Sequence, residues 1–173
     1  MIDQVRQTAE ATIQLQPRTV LDRVRGAVLS EADGRAGAVV SPSRGRVLIV
    51  EDEYFVALNA EDALSAAGFT VVGVAASAQE AVEMAAAESP DIVLMDIRLA
   101  GSRDGIDAAT ELRSRLGIPS LFATAHSDAA TRARGDKAAS PLGWLTKPYS
   151  RSDVTTAIAE AIAKTRKGIP GSG

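Results

Sequence analysis

The chain has 173 residues, 46 % of them hydrophobic, and a formal net charge of −3, which supplies apolar material for one core with an appendage. It contains no cysteine and a single histidine, His126; disulfides, thiolate metal sites, cysteine nucleophiles and multi-histidine sites within one chain are excluded, and any metal must be held mainly by oxygen. The mild acidity offers no broad basic field for nucleic acid, and without an apolar run of about 18 residues or a basic-then-apolar start, a cytoplasmic chain with no membrane contact is expected.

All six aromatic residues lie at or beyond Tyr54, so the first 45 residues read as a separate unit. Ile2, Val5, Ala9 and Ile13, then Val20 or Leu21, Val24 and Val28, are spaced by three or four on either side of Pro17. Two short amphipathic helices are predicted there. The stretch EADGRAGAVVSPSRG, Glu31 to Gly45, is rich in Gly, Ser, Pro and Ala and reads as a flexible linker. Such a helical arm either packs on its own domain or is partly disordered, or it serves dimerisation or partner docking.

From residue 46 onward strand and helix patterns alternate. Strands are predicted at 46–50, 70–74, 91–95, 119–123 and 141–146. Helical spacing appears in Val56, Ala60, Ala63 and Ala67, in Ile106, Ala109, Leu112 and Leu116, and in Val154, Ile158 and Ile162. Gly68 and Gly117 stand where C-terminal caps belong. A helix at about 127–134 has the least pattern, since DAATRARG offers little beyond alanine and arginine. Pro141 limits how regularly the fifth strand can begin. Five strands alternating with five helices imply a parallel sheet with right-handed crossovers and helices on both faces. The domain is expected to span 46–167, followed by a short tail, GIPGSG, at 168–173.

Two of these strands, in RVLIVEDE (46–53) and DIVLMDIRL (91–99), run straight into acidic residues. Their Val, Ile and Leu content suits strands buried on both faces, and the carboxyl edge of an open α/β sheet is where ligands bind. Glu51, Asp52 and Asp96 can therefore converge, and three carboxylates in one cleft suggest a divalent metal. The fourth strand ends in SLFATAH and brings Thr124 to the same edge; the fifth ends in GWLTKPY and brings Lys147. A threonine at a strand end is ordinarily a turn or cap residue, and a Lys-Pro pair is common. Taken in order on an alternating α/β chain, the set is specific.

That order resembles the receiver domain of bacterial response regulators over about residues 46–165. The resemblance implies a flavodoxin-like doubly wound sheet ordered 2-1-3-4-5. It makes Asp96 the phosphoacceptor, Glu51 and Asp52 the acidic pair, Thr124 the switch hydroxyl and Lys147 the family's lysine. It implies Mg²⁺ (or Mn²⁺) on Asp52, Asp96 and the backbone carbonyl of Arg98, with Glu51 acting through water. Trp144 takes the place of the family's switch aromatic, where Tyr or Phe is usual, with simple packing as its alternative role. Arg98 and His126 fall where the family modulates phosphoryl lifetime, and His126 reads equally well as an exposed loop residue. A sensor histidine kinase is the implied partner, and the fourth helix, fifth strand and fifth helix form the implied output face.

The loop IRLAGSRDG departs from the family: Ala100 replaces a frequent proline, and one residue is added before Asp-Gly. Asp104 in that loop reads as a turn or helix cap rather than a ligand. The expectation is a response regulator without an output domain, not a turnover enzyme, which signals to a downstream protein target or passes phosphoryl to a phosphotransfer protein. A homodimer through the N-terminal helices or the fourth-to-fifth-helix face is also expected. The alternative is a non-phosphorylated pseudo-receiver adaptor. A Mg²⁺-dependent phosphatase would need D-x-D at the first strand, where this chain has EDE, and a nucleotide site would need a glycine-rich loop there.

Overall fold

The computed structural model describes residues 43–125 and 128–167. The expectations for the N-terminal arm at 1–42, for His126 and for the tail at 168–173 lie outside the described residues. Within them the order is β1 (Arg46–Val50), α1 (Tyr54–Ala66), β2 (Thr70–Ala75), α2 (Ala78–Glu88), β3 (Ile92–Asp96), α3 (Gly105–Glu111), β4 (Ser120–Thr124), α4 (Ala129–Ala139), β5 (Trp144–Thr146) and α5 (Arg151–Lys167). The strands form one parallel sheet in the order β2-β1-β3-β4-β5. This is the doubly wound parallel sheet that the alternating pattern predicted, in the flavodoxin-like strand order that the resemblance implied.

Every residue of β3 and β4 is buried, because helices cover the sheet on both sides. Leu48, Val50, Val93, Met95 and Phe122 pack with Ile106 and Leu112 on one face. Val47, Ile49, Leu94 and Leu121 pack with Leu64, Ile158 and Ile162 on the other. The alternation along each strand thus feeds two cores at once, which is why these strands read as continuous apolar runs.

Helix ends follow local chemistry. Gly68 and Gly117 take positive φ values of 86° and 69°, a conformation that glycine adopts at no steric cost. Asp104 caps α3 in a reciprocal box: its carboxylate accepts from the Asp107 amide at 3.0 Å while the Asp107 carboxylate accepts from the Asp104 amide at 3.4 Å. The cap reading of Asp104 therefore holds. Beyond Glu111 the helix widens into a π-helical turn, Leu112–Leu116.

Several boundaries differ from expectation. β3 and β4 each begin one residue late: the Asp91 carboxylate accepts from the Arg46 amide at 2.7 Å and so serves β1 instead, and Pro119 has no N–H for a ladder. β5 has three residues rather than six. Leu142 and Gly143 still exchange bonds with Ser120 and Phe122, but Pro141 interrupts the ladder before them. α4 runs to Ala139 instead of ending near 134, started by Asp128, whose carboxylate accepts from the Thr131 amide at 2.7 Å.

Candidate functional site

The carboxyl ends of four strands meet in one place. The Glu51 amide donates to the Ala75 carbonyl at 2.9 Å, which extends β1 by one residue and turns the Glu51 side chain inward, 5 % exposed. The chain then bends, leaving Asp52 exposed. Asp96, the last residue of β3, is 7 % exposed. The loop after it packs very closely: the Gly105 amide donates to Ile97 O at 2.9 Å, and a Cβ at position 105 would collide with the Asp96 carbonyl oxygen. Only glycine fits there. Thr124 ends β4 buried, and its carbonyl accepts from the Lys147 amide at 2.9 Å. That bond delivers Lys147 to the same edge, just before the cis peptide to Pro148.

Lys147 Nζ donates to Asp96 Oδ2 at 2.8 Å and also to Glu51 Oε2. The other Asp96 oxygen accepts from the Arg98 amide at 3.2 Å, and Glu51 Oε1 accepts from the Glu53 amide at 3.3 Å. Burial pushes the Glu51 carboxyl above its ordinary value, with the Lys147 hydrogen bond and charge offsetting this only in part. Burial works against the Lys147 ammonium too, yet hydrogen bonds to Asp96 and Glu51 and the charge of both hold it above its ordinary value. The lysine stays protonated across the neutral range.

One ammonium cannot neutralise three carboxylates. Oxygens of Glu51, Asp52 and Asp96 lie within 4.8 Å of one another, and the donor set is all hard oxygen, which suits Mg²⁺ or Mn²⁺ and no softer ion. The set fits the ion that the sequence suggested. Both Glu51 oxygens are already engaged, by Lys147 and by the Glu53 amide, whereas Asp52 makes no hydrogen bond with any described residue. That difference leaves Asp52 as the open carboxylate of the three, since both oxygens of Asp96, like those of Glu51, are already engaged.

The remaining predicted residues separate. Arg98 is exposed beside Asp96 and joins the site through its backbone. Trp144 is half-buried at the start of β5, turned toward α4 and away from the carboxylates: its ring lies 4.8 Å from that of Phe122, and its Nε1 donates to Asp136 Oδ1 at 2.9 Å. Sequence reasoning missed Asp136, and it missed Tyr149, which lines a crevice with Glu51 and Asp96 and whose phenol is pushed up by burial. It also passed over Tyr54 and Phe55, 70 % and 76 % exposed and in edge contact with each other just after the acidic residues. The signal for that pair was available, as two adjacent aromatics cannot both face inward on one helix.

A doubly wound parallel sheet with an acidic pair, an aspartate, a hydroxyl and a lysine on its carboxyl edge defines a narrow class of signalling domain. Residues 47–159 match the response regulator receiver domain, and the chain belongs to that family. It is 41 % identical over 124 residues to the transcriptional regulatory protein PdtaR of Mycobacterium tuberculosis, covering 70 % of this chain and 58 % of that one. It is 32 % identical over 117 residues to the phyllosphere-induced regulator PhyR of Methylorubrum extorquens, covering 67 % of this chain and 43 % of that one. Among solved structures, the receiver domain of a modulated diguanylate cyclase from Desulfovibrio desulfuricans superposes with a TM-score of 0.67 at 35 % identity, over 71 % of this chain and 97 % of that one. The anti-anti-sigma factor PhyR of Bartonella quintana superposes with a TM-score of 0.62 at 32 % identity, over 72 % of this chain and 50 % of that one. The chain thus spans about half the length of these curated relatives.

Proposed function

We propose that the protein is a phosphorylated switch: Asp96 accepts a phosphoryl group from the phosphohistidine of a sensor histidine kinase, and the altered surface is read by another protein or the phosphoryl group is passed on. The observation that carries this reading is the placement of Lys147 Nζ between Asp96 and Glu51 while Asp52 stays open. A carboxylate oxygen of Asp96 attacks phosphorus as the bond to the kinase imidazole breaks, leaving an aspartyl phosphate. Charge builds on the transferring oxygens, and an ammonium already in contact with Asp96 is in position to take part of it. Mg²⁺ on Asp52, Asp96 and the Arg98 carbonyl supplies further neutralisation of phosphoryl charge when bound. Thr124 is the hydroxyl donor to the aspartyl phosphate, and Arg98 and His126 set how long it lasts.

The exposed pair Tyr54 and Phe55, with Leu58 one turn on, forms an apolar patch beside the acidic residues. It suits the helical surface of a kinase that presents its histidine to Asp96. Relatives described as a transcriptional regulatory protein and an anti-anti-sigma factor support output through contact with another macromolecule, for which we favour protein. No described helix is long and apolar enough to cross a membrane, and we place the chain in the cytoplasm beside its kinase. We assign 46–167 as the receiver, 1–45 as a separate arm and 168–173 as a tail. We also assign a dimer, which light scattering of the chain with and without residues 1–45 would check.

The test is phosphorylation by acetyl phosphate, read on phosphate-affinity gels. A shift that requires both Mg²⁺ and Asp96, and that vanishes in Asp96→Asn, is expected. No shift in the wild type would make the pseudo-receiver adaptor the better reading.

A further inference from the structure

The helix α4 is held to the domain by few apolar contacts. Of its residues only Gly135 and Ala139 are buried. What fastens it instead is a set of polar and aromatic contacts. Arg134 pairs with Asp104 in the loop after Asp96. The Arg132 guanidinium lies 5.1 Å from the centre of the Trp144 ring, and the Asp136 carboxylate accepts from the Trp144 indole. Gly135 lies flat against that ring: a Cβ there would stand 2.8 Å from Cη2 and 2.9 Å from Cζ2 of Trp144, and 3.3 Å from Phe122 Cε2. The absence of a side chain makes the seat, and the next residue along supplies the bond that keeps the ring in it.

We propose that Gly135 and Asp136 are positioning residues for Trp144, which hold its ring against α4 in the unphosphorylated protein and so set how readily Asp96 is phosphorylated. This rests on the phosphoryl-switch reading above. In the register of the sheet Trp144 faces Phe122, and Thr146 faces Thr124, so the seat lies on the strand pair that carries the switch hydroxyl. If phosphorylation of Asp96 draws Thr124 toward the site, Trp144 and β5 must readjust beside it. The ring can leave the seat only by giving up the Asp136 bond and its contact with Arg132. An interaction present in one state and absent in the other biases the equilibrium toward the first by its own free energy. Removing it must favour the phosphorylated state.

Trp144 is the chain's only tryptophan, so its fluorescence reports this seat alone. Three variants separate the contributions: Asp136→Ala removes the acceptor, Asp136→Asn keeps an acceptor without the charge, and Gly135→Ala evicts the ring while leaving the acceptor in place. Emission of the unphosphorylated protein should change in Asp136→Ala and Gly135→Ala, and much less in Asp136→Asn. Titration with beryllofluoride and Mg²⁺ should show about three- to tenfold tighter half-saturation in Asp136→Ala, the range expected when a partly exposed hydrogen bond to a charged group is lost. Asp136 is exposed, so this variant keeps its fold, and circular dichroism verifies it. Unchanged or weaker half-saturation in Asp136→Ala, with the wild type responding, overturns the inference and leaves the switch reading intact. A wild type that responds neither to beryllofluoride nor to acetyl phosphate overturns the switch reading, and the inference falls with it.

Discussion

The centre of the sheet and its β5–α4 flank are built on different physics. In the centre, β1, β3 and β4 are covered on both faces, and Leu48, Met95 and Phe122 are wholly buried. The flank has a strand of three residues with none of them fully buried, and a helix attached through an indole hydrogen bond, a cation over a ring and an ion pair. Apolar burial is non-directional and large in sum. Polar tethers at an exposed edge are individually worth about 1 kcal/mol or less and can be exchanged singly. The acidic groups stand on the part that cannot move cheaply, while the residues suited to carry a signal stand on the part that can.

Matched truncations break this contrast if it is wrong. Leu48→Ala in β1 should cost about 4 kcal/mol, since a fully enclosed leucine leaves a cavity. Leu145→Ala in β5, half-buried, should cost about 1 kcal/mol, which is the area term without a closed cavity. Urea unfolding of both decides it, and equal losses would mean that the flank is anchored as firmly as the centre.

Lys147 joins the two regions, so its removal should come next in size. Lys147→Met leaves Glu51 buried beside Asp96 with no cation and should cost about 3 kcal/mol at pH 7 in metal-free buffer. The pH dependence has a definite sign. Burial already raises the Glu51 carboxyl, and the lysine is what limits the rise; without it Glu51 moves higher. The folded variant then holds a proton that the unfolded chain releases, so its stability is greatest at low pH and falls as pH rises through the raised Glu51 value. A variant whose stability does not fall with pH over that window would show that Lys147 is not what limits the rise of Glu51.

The contrast also explains what could be read in the sequence. Central strands were legible because burial on both faces leaves an uninterrupted apolar run, and Gly68 and Gly117 marked helix ends because few other residues tolerate their φ. Convergence of Glu51, Asp96 and Lys147 followed from strand ends sharing one edge. Which carboxylate the ammonium would touch did not follow, because it depends on packing across 96 and 51 residues of sequence. The flank was the least legible. DAATRARG has no apolar stripe because α4 is not held by one, and its extension to Ala139 rests on a cap and a seat that no periodicity encodes. Trp144 and Asp136 are eight residues apart, a separation that is neither a helical neighbour nor a strand pair, so their bond leaves no local signature.

The smallest predicted effect concerns the start of α4. Hydrogen bonds from the backbone amide and then the side chain of Thr131 hold the Asp128 carboxyl below its ordinary value of 3.8. A carboxyl depressed in the folded state stabilises fully above its unfolded value, and this contribution fades as pH falls through the folded one. With so little apolar anchorage, α4 should register that fading as local opening rather than global unfolding. Amide exchange in α4 should therefore rise relative to β3 as pH falls below that ordinary value, after correction for intrinsic rates. Asp128→Ala should open α4 at neutral pH and remove the cap's share of the acid dependence, because alanine has no proton to gain. Parallel loss of protection in α4 and β3 on acidification would place the two regions in one cooperative unit, and the division between a fixed centre and a movable flank would have to be given up.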